Sequence, residues 1–73
     1  MAFSYKRLWK LCIDRDIKRS KLATMAGISP STLYQLICGK YVAMSVLDKL
    51  CNALECRIED IIEFVPEDKL VND

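Results

Sequence analysis

Ser31, Tyr34, Gln35 and Cys38 recur every three or four residues, a spacing that gathers them on one face if the segment is helical. That face is polar and able to hydrogen-bond, yet it carries no charge, whereas an ordinary solvated helix face more often holds Lys and Glu. Its groups can donate and accept hydrogen bonds but supply no acid, base or activated nucleophile. The other candidates for chemistry are four cysteines, at 12, 38, 51 and 56, separated by 26, 13 and 5 positions, in a chain without histidine. Zinc sites use closely spaced ligand pairs, and disulfide frameworks belong to secreted chains. The cysteines are therefore read as small buried hydrophobes. No carboxylate pair or activated nucleophile stands out. Neither an enzyme nor a metal or cofactor is expected.

Charge points to a partner. The net charge is only +1, but residues 1–40 hold eight Lys/Arg against two Asp/Glu, a balance of +6, while residues 41–73 hold three against eight, a balance of −5. Such asymmetry implies one face made for an anionic partner.

These residues must be positioned by a small scaffold. A chain of 73 residues is read as one domain, with a core at the marginal end of what folds alone. With 52% apolar residues it is too hydrophobic for a disordered segment. The longest uncharged stretch, Leu22 to Gly39, is interrupted by Ser, Thr and Gln, so it is no membrane span. "MAFSYKRLWK" lacks the apolar run of a signal peptide, and the expected location is cytoplasmic.

Periodicity predicts a compact all-α domain of five short helices. The first covers residues 5–14, with Ser4 as its cap and Leu8, Leu11 and Cys12 inward. Trp9 either covers the core edge or lies exposed at an interface. The second runs from Arg19 to Ala26 and ends at Gly27, the residue suited to a left-handed stop. Ser29 caps the third, which opens on Pro30 and reaches about Cys38, with Leu33, Leu36 and Ile37 inward. The fourth is "MSVLDKLCNALE", with Ser45 as cap, and the fifth is "RIEDIIEF", with Ile58, Ile61 and Ile62 inward. Phe3 and Tyr5 alternate like a strand, as do Phe64 and Val65. Residues 2–5 and 63–66 are expected to pair in a small antiparallel terminal ribbon.

A helix, a glycine-bearing turn and a second helix make a helix-turn-helix. Residues 8–62 resemble the lambda-repressor-like family, the Cro- and repressor-type (XRE) regulators of bacteria and phages. The resemblance rests on "LATMAGISPSTLYQLICGK" at 22–40 and on "LDKLCNALECRIEDII" at 47–62. Two departures stand out. Lys18 occupies the position where Thr or Ser commonly caps the second helix, and Ile37 and Cys38 replace the common Glu and Asn.

The resemblance implies a single helix-turn-helix domain over residues 1–73, with the motif at 19–38 and a C-terminal tail at 63–73. It further implies that Pro30, Ser31, Tyr34 and Gln35, at the start of the third helix, contact bases in the major groove. Gln35 is the best reader, because its amide can pair with adenine N7 and N6. Phosphates are expected at Lys18, Arg19, Ser20 and Lys21 on one side, and at Thr32, Lys40 and Tyr41 on the other. Family members commonly bind as dimers on two-fold operators. Ile61, Phe64 and Val65, in the acidic C-terminal third, are the expected homodimer surface. The leading reading is a sequence-specific repressor. The alternative is an antitoxin or protein-binding adaptor using the same fold.

Overall fold

The chain reverses at Gly27. Its φ of 69° lies in the left-handed region, which glycine enters without Cβ strain, and it closes helix α2, Arg19–Ala26. Two residues on, the Ser29 side chain accepts a hydrogen bond from the Thr32 N–H at 3.2 Å, and Pro30 opens helix α3, Pro30–Ile37. The motif thus forms as its turn residues dictate. A computed structural model describes residues 3–66. Around α2 and α3 it places β1 (Phe3–Ser4), α1 (Lys6–Asp14), α4 (Met44–Leu54), a 3-10 turn (Ile58–Asp60) and β2 (Glu63–Phe64). The expected ribbon is present: β1 and β2 pair antiparallel, Phe3 opposite Phe64 and Ser4 opposite Glu63.

One core joins the four helices and the segment after the 3-10 turn. Leu8, Leu22, Leu36, Leu50, Leu54 and Ile61 are fully buried, one or two from each helix and one from beyond the 3-10 turn. Tyr5 belongs to the same core. Its hydroxyl donates to the Lys40 carbonyl at 2.8 Å, tying the start of α1 to the loop after α3. Burial pushes the Tyr5 phenol above its ordinary range, partly offset by a backbone hydrogen bond from Val42.

Seven expectations need correction. Tyr5, not Ser4, stands at the N-cap of α1, and no side chain caps that helix. Ile37 is exposed rather than inward. The fifth helix is only the 3-10 turn. Glu55 stops α4 in the left-handed region and β2 begins at Glu63, so residues 56–62 must also make the connection, and the Asp60 carboxylate tightens the turn by accepting from the Arg57 N–H at 3.0 Å. Ile58 is consequently exposed. Ser45 caps nothing, because α4 begins one residue earlier, with Ala43 at its N-cap. Leu33 is only partly buried and stands outside the core, so Leu36 alone anchors α3 there. Cys38 is exposed, whereas Cys12 is buried and Cys51 and Cys56 are half-buried against the core; all four are free thiols. Ile61, expected at a dimer surface, has 0% exposure inside the protomer core and offers no side-chain surface to a partner. The expected C-terminal tail lies outside the described residues from 67 onward.

Candidate nucleic-acid interface

α3 is a short helix held by one fully buried side chain, Leu36. Its opposite side therefore faces outward. Pro30, Ser31, Tyr34 and Gln35 are all exposed, Tyr34 at 64%. Thr32 is half-buried.

The hydrogen bonding of these groups sets them apart from one another. The Ser31 hydroxyl lies 3.1 Å from the Ser29 hydroxyl, and that of Thr32 lies 3.0 Å from it, so the three form a cluster over the start of the helix. Tyr34 hydrogen-bonds Cys38 one turn on. That bond raises the phenol above its ordinary range. Gln35 differs: among the described residues its side-chain amide has no protein partner.

The basic residues divide into two groups. Arg7 donates to the Glu59 carbonyl at 2.9 Å and pairs with Glu63 at 3.7 Å, which locks α1 to the ribbon. Arg15 donates to the Leu54 carbonyl at the end of α4, where a cation also opposes the negative end of the helix dipole. Part of the +6 of the N-terminal half is thus spent on the scaffold. Lys18, Arg19, Lys21 and Lys40 have no ion-pair partner among the described residues, and all four are exposed. Ser20 and Tyr41 are exposed beside them. Lys18 sits at the N-cap of α2 and no side chain caps that helix, so the first N–H groups of α2 are left without a side-chain acceptor.

Among the expected dimer residues, Phe64 is 58% exposed and Val65 is half-buried. Phe3 connects Phe64 to Tyr41, with ring centroids 5.3 Å from Phe64 and 6.1 Å from Tyr41, both edge-on. Sequence reasoning missed this aromatic row, the burial of Tyr5 and the contact between Trp9 and Arg19, whose Cζ lies over the indole 4.8 Å from its centroid. Each of these joins residues distant in the chain, and spacing alone carries no signal of them.

Among the described residues no group of three or more Cys, Asp or Glu gathers for a metal ion, and no helix is long and apolar enough to cross a membrane. Burial raises the Cys12 and Cys56 thiols, which favours the protonated, less nucleophilic form.

Comparison with known proteins agrees with this geometry. The family model for the Cro/C1-type HTH DNA-binding domain matches residues 7–67. Nothing among curated proteins matches. A solved structure titled "Crystal structure of transcriptional regulator VanUg, Form II" is similar over 89% of this chain and 87% of that one, with 43% identity and a TM-score of 0.84. With the helix-turn-helix formed and the family model matched over most of its length, the chain belongs to the Cro/C1-type helix-turn-helix DNA-binding family.

Proposed function

We propose that the protein is a sequence-specific regulator of transcription, a small homodimeric repressor that inserts α3 into the major groove of duplex DNA. It works as a single helix-turn-helix unit in the cytoplasm. The observation that carries the reading is the exposed, uncharged face of α3, flanked in the chain by cations that have no ion-pair partner among the described residues. The similarity to a transcriptional regulator supports it. Pro30, Ser31, Tyr34 and Gln35 would contact base edges. Lys18, Arg19, Ser20, Lys21, Thr32, Lys40 and Tyr41 would hold phosphates and set the register without reading sequence.

A salt titration on random duplex DNA tests this reading. Counterion release makes the slope of log affinity against log salt report the number of phosphates neutralised, about 0.9 per contact. Lys40→Ala and Arg19→Ala are each expected to weaken binding to all duplexes alike and to flatten that slope by about one unit. A change in sequence preference with an unaltered slope would contradict the phosphate role. An antitoxin or adaptor acting through protein contacts would show no salt-dependent duplex binding at all.

The dimer is supported by apolar surface that the monomer leaves open. Phe3, Tyr41 and Phe64 form the aromatic row, and Met44 beside them is 75% exposed. With Ile58 and the buried Tyr5 and Leu47, Phe3, Tyr41 and Met44 line a groove of about 310 Å³. A cluster of this kind, rather than scattered single residues, marks a surface that is covered. Phe64→Asp places a charge in it without touching the core. The expected result is a monomer by sedimentation with a near wild-type melt, and weaker binding to a two-half-site operator. If the variant sediments and binds as the wild type does, the dimer surface lies elsewhere.

A further inference from the structure

Trp9 is absorbed neither by the core nor by the base-reading face. It is half-buried at the core edge, and the Arg19 guanidinium lies over its ring, 4.8 Å from the centroid. Arg19 is also unusual among the chain's four arginines. Arg7, Arg15 and Arg57 each meet a carbonyl or carboxylate of the protein; Arg19 meets none among the described residues. We infer that Trp9 is a positioning residue, whose indole holds the Arg19 guanidinium ready for a DNA phosphate at the start of α2.

The physical argument concerns what such a contact uses. A carboxylate partner would occupy the donor edge of the guanidinium and cancel its charge. An aromatic face attracts the cation through the ring quadrupole and needs no acceptor atom. The charge therefore stays whole, and N–H donors remain for a bidentate grip on an oxyanion. The contact also removes freedom from a long side chain before DNA arrives, so less ordering entropy is lost on binding. Arg19 is the first residue of α2, where no side chain caps the backbone N–H groups. A phosphate held by Arg19 would lie next to those donors. The neighbouring Lys18 and Lys21 add charge of the same sign and cannot hold Arg19 in place. The inference rests on the DNA-binding reading above.

A double-mutant cycle tests it, using the full chain, a random duplex and a salt series, at temperatures below each variant's melt. Trp9→Leu is expected to weaken binding about two- to fivefold, the range of an exposed cation–aromatic contact, and to lower the salt slope toward that of Arg19→Ala. Trp9→Phe keeps an aromatic face and should recover most of the loss. In the Arg19→Ala background, Trp9→Leu should add nothing. Additive losses, or an unchanged slope in Trp9→Leu, overturn the inference. A wild type without salt-dependent binding removes both this inference and the functional reading, whereas additive losses in a protein that binds remove this one alone. Should Trp9→Leu fail to fold, the indole itself reports, since Trp9 is the chain's single tryptophan. Duplex DNA should alter its fluorescence in the wild type and not in Arg19→Ala; an equal change in both overturns the inference as well.

Discussion

Leu36→Ala is expected to cost about 2–5 kcal/mol of folding stability, enough to leave a large share of a domain this small unfolded. Leu36 is fully buried and is the only side chain of α3 that is. α3 spans eight residues, too few for a helix to persist in water without tertiary packing. Its truncation would remove the anchor from the element that carries the proposed readers, and the cavity would lie against a core shared by every helix. DNA affinity should fall only as far as the folded fraction falls, and saturating duplex should raise the melt again, because a ligand of the folded state stabilises it by mass action. Leu33→Ala is the control. Helical periodicity puts Leu33 on the same inner side, but it is only partly buried and outside the core, so its loss should be clearly smaller. Urea denaturation of the two variants separates the cases. Equal costs would mean that α3 is anchored by both leucines and not by Leu36 alone.

The contrast between Leu33 and Leu36 shows what could be read from the chain and what could not. Local rules were legible wherever a residue type decides its own backbone. Gly27 takes the left-handed stop, Ser29 accepts from the helix it caps, and Pro30 stands where no N–H is needed. The strand-like alternation at both ends pairs as expected, Phe3 opposite Phe64. The departure at Lys18 is likewise visible, as an α2 without a side-chain cap. One local rule failed, the serine cap, since α1 starts from Tyr5 and not from Ser4, and α4 from Ala43 and not from Ser45; the other failures depend on distant parts of the chain. Helical periodicity defines a wide inner arc of α3, and only packing against the rest of the core selects Leu36 within it. Tyr5 read as part of a ribbon, yet its ring enters the core and its hydroxyl bonds Lys40, 35 positions away. The fifth helix failed because residues 56–62 must also join α4 to β2, which pairs back with β1, and a 3-10 turn forms there instead. In the site, the exposed positions of Ser31, Tyr34 and Gln35 were legible from α3's period. The scaffold duties of Arg7 and Arg15 were not, since a count of charges cannot tell a cation that closes the fold from one left for a partner.

Gln35→Ala should lower affinity for a selected operator by about 1–3 kcal/mol and relax preference at one base pair, while the melt changes little. The hydrogen bonds already made within the protein single out this residue among the exposed groups of α3. Ser31 shares its hydroxyl with the Ser29 cluster, and the Tyr34 phenol is perturbed by Cys38 one turn on. The Gln35 amide is exposed and, among the described residues, unengaged, so both a donor and an acceptor remain for a base edge. Adenine presents the complementary pair in the major groove, N7 as acceptor and the N6 amino group as donor. Alanine is the strongest helix former, and Gln35 buries nothing that its removal would uncover, so the helix should persist. The Gln35 backbone carbonyl, which accepts from the Lys40 N–H at 2.9 Å, is untouched by the substitution. The signature is therefore a loss of discrimination with the salt slope preserved, the reverse of Lys40→Ala. Selecting bound sequences from a random pool with wild type and variant measures it directly: one position of the motif should lose its preference, and the others should keep theirs. An unchanged motif at every position would show that Gln35 does not read bases. Ser31→Ala and Tyr34→Phe would then be put through the same selection, with Tyr34→Phe separating the phenol's hydrogen bonding from the bulk of its ring.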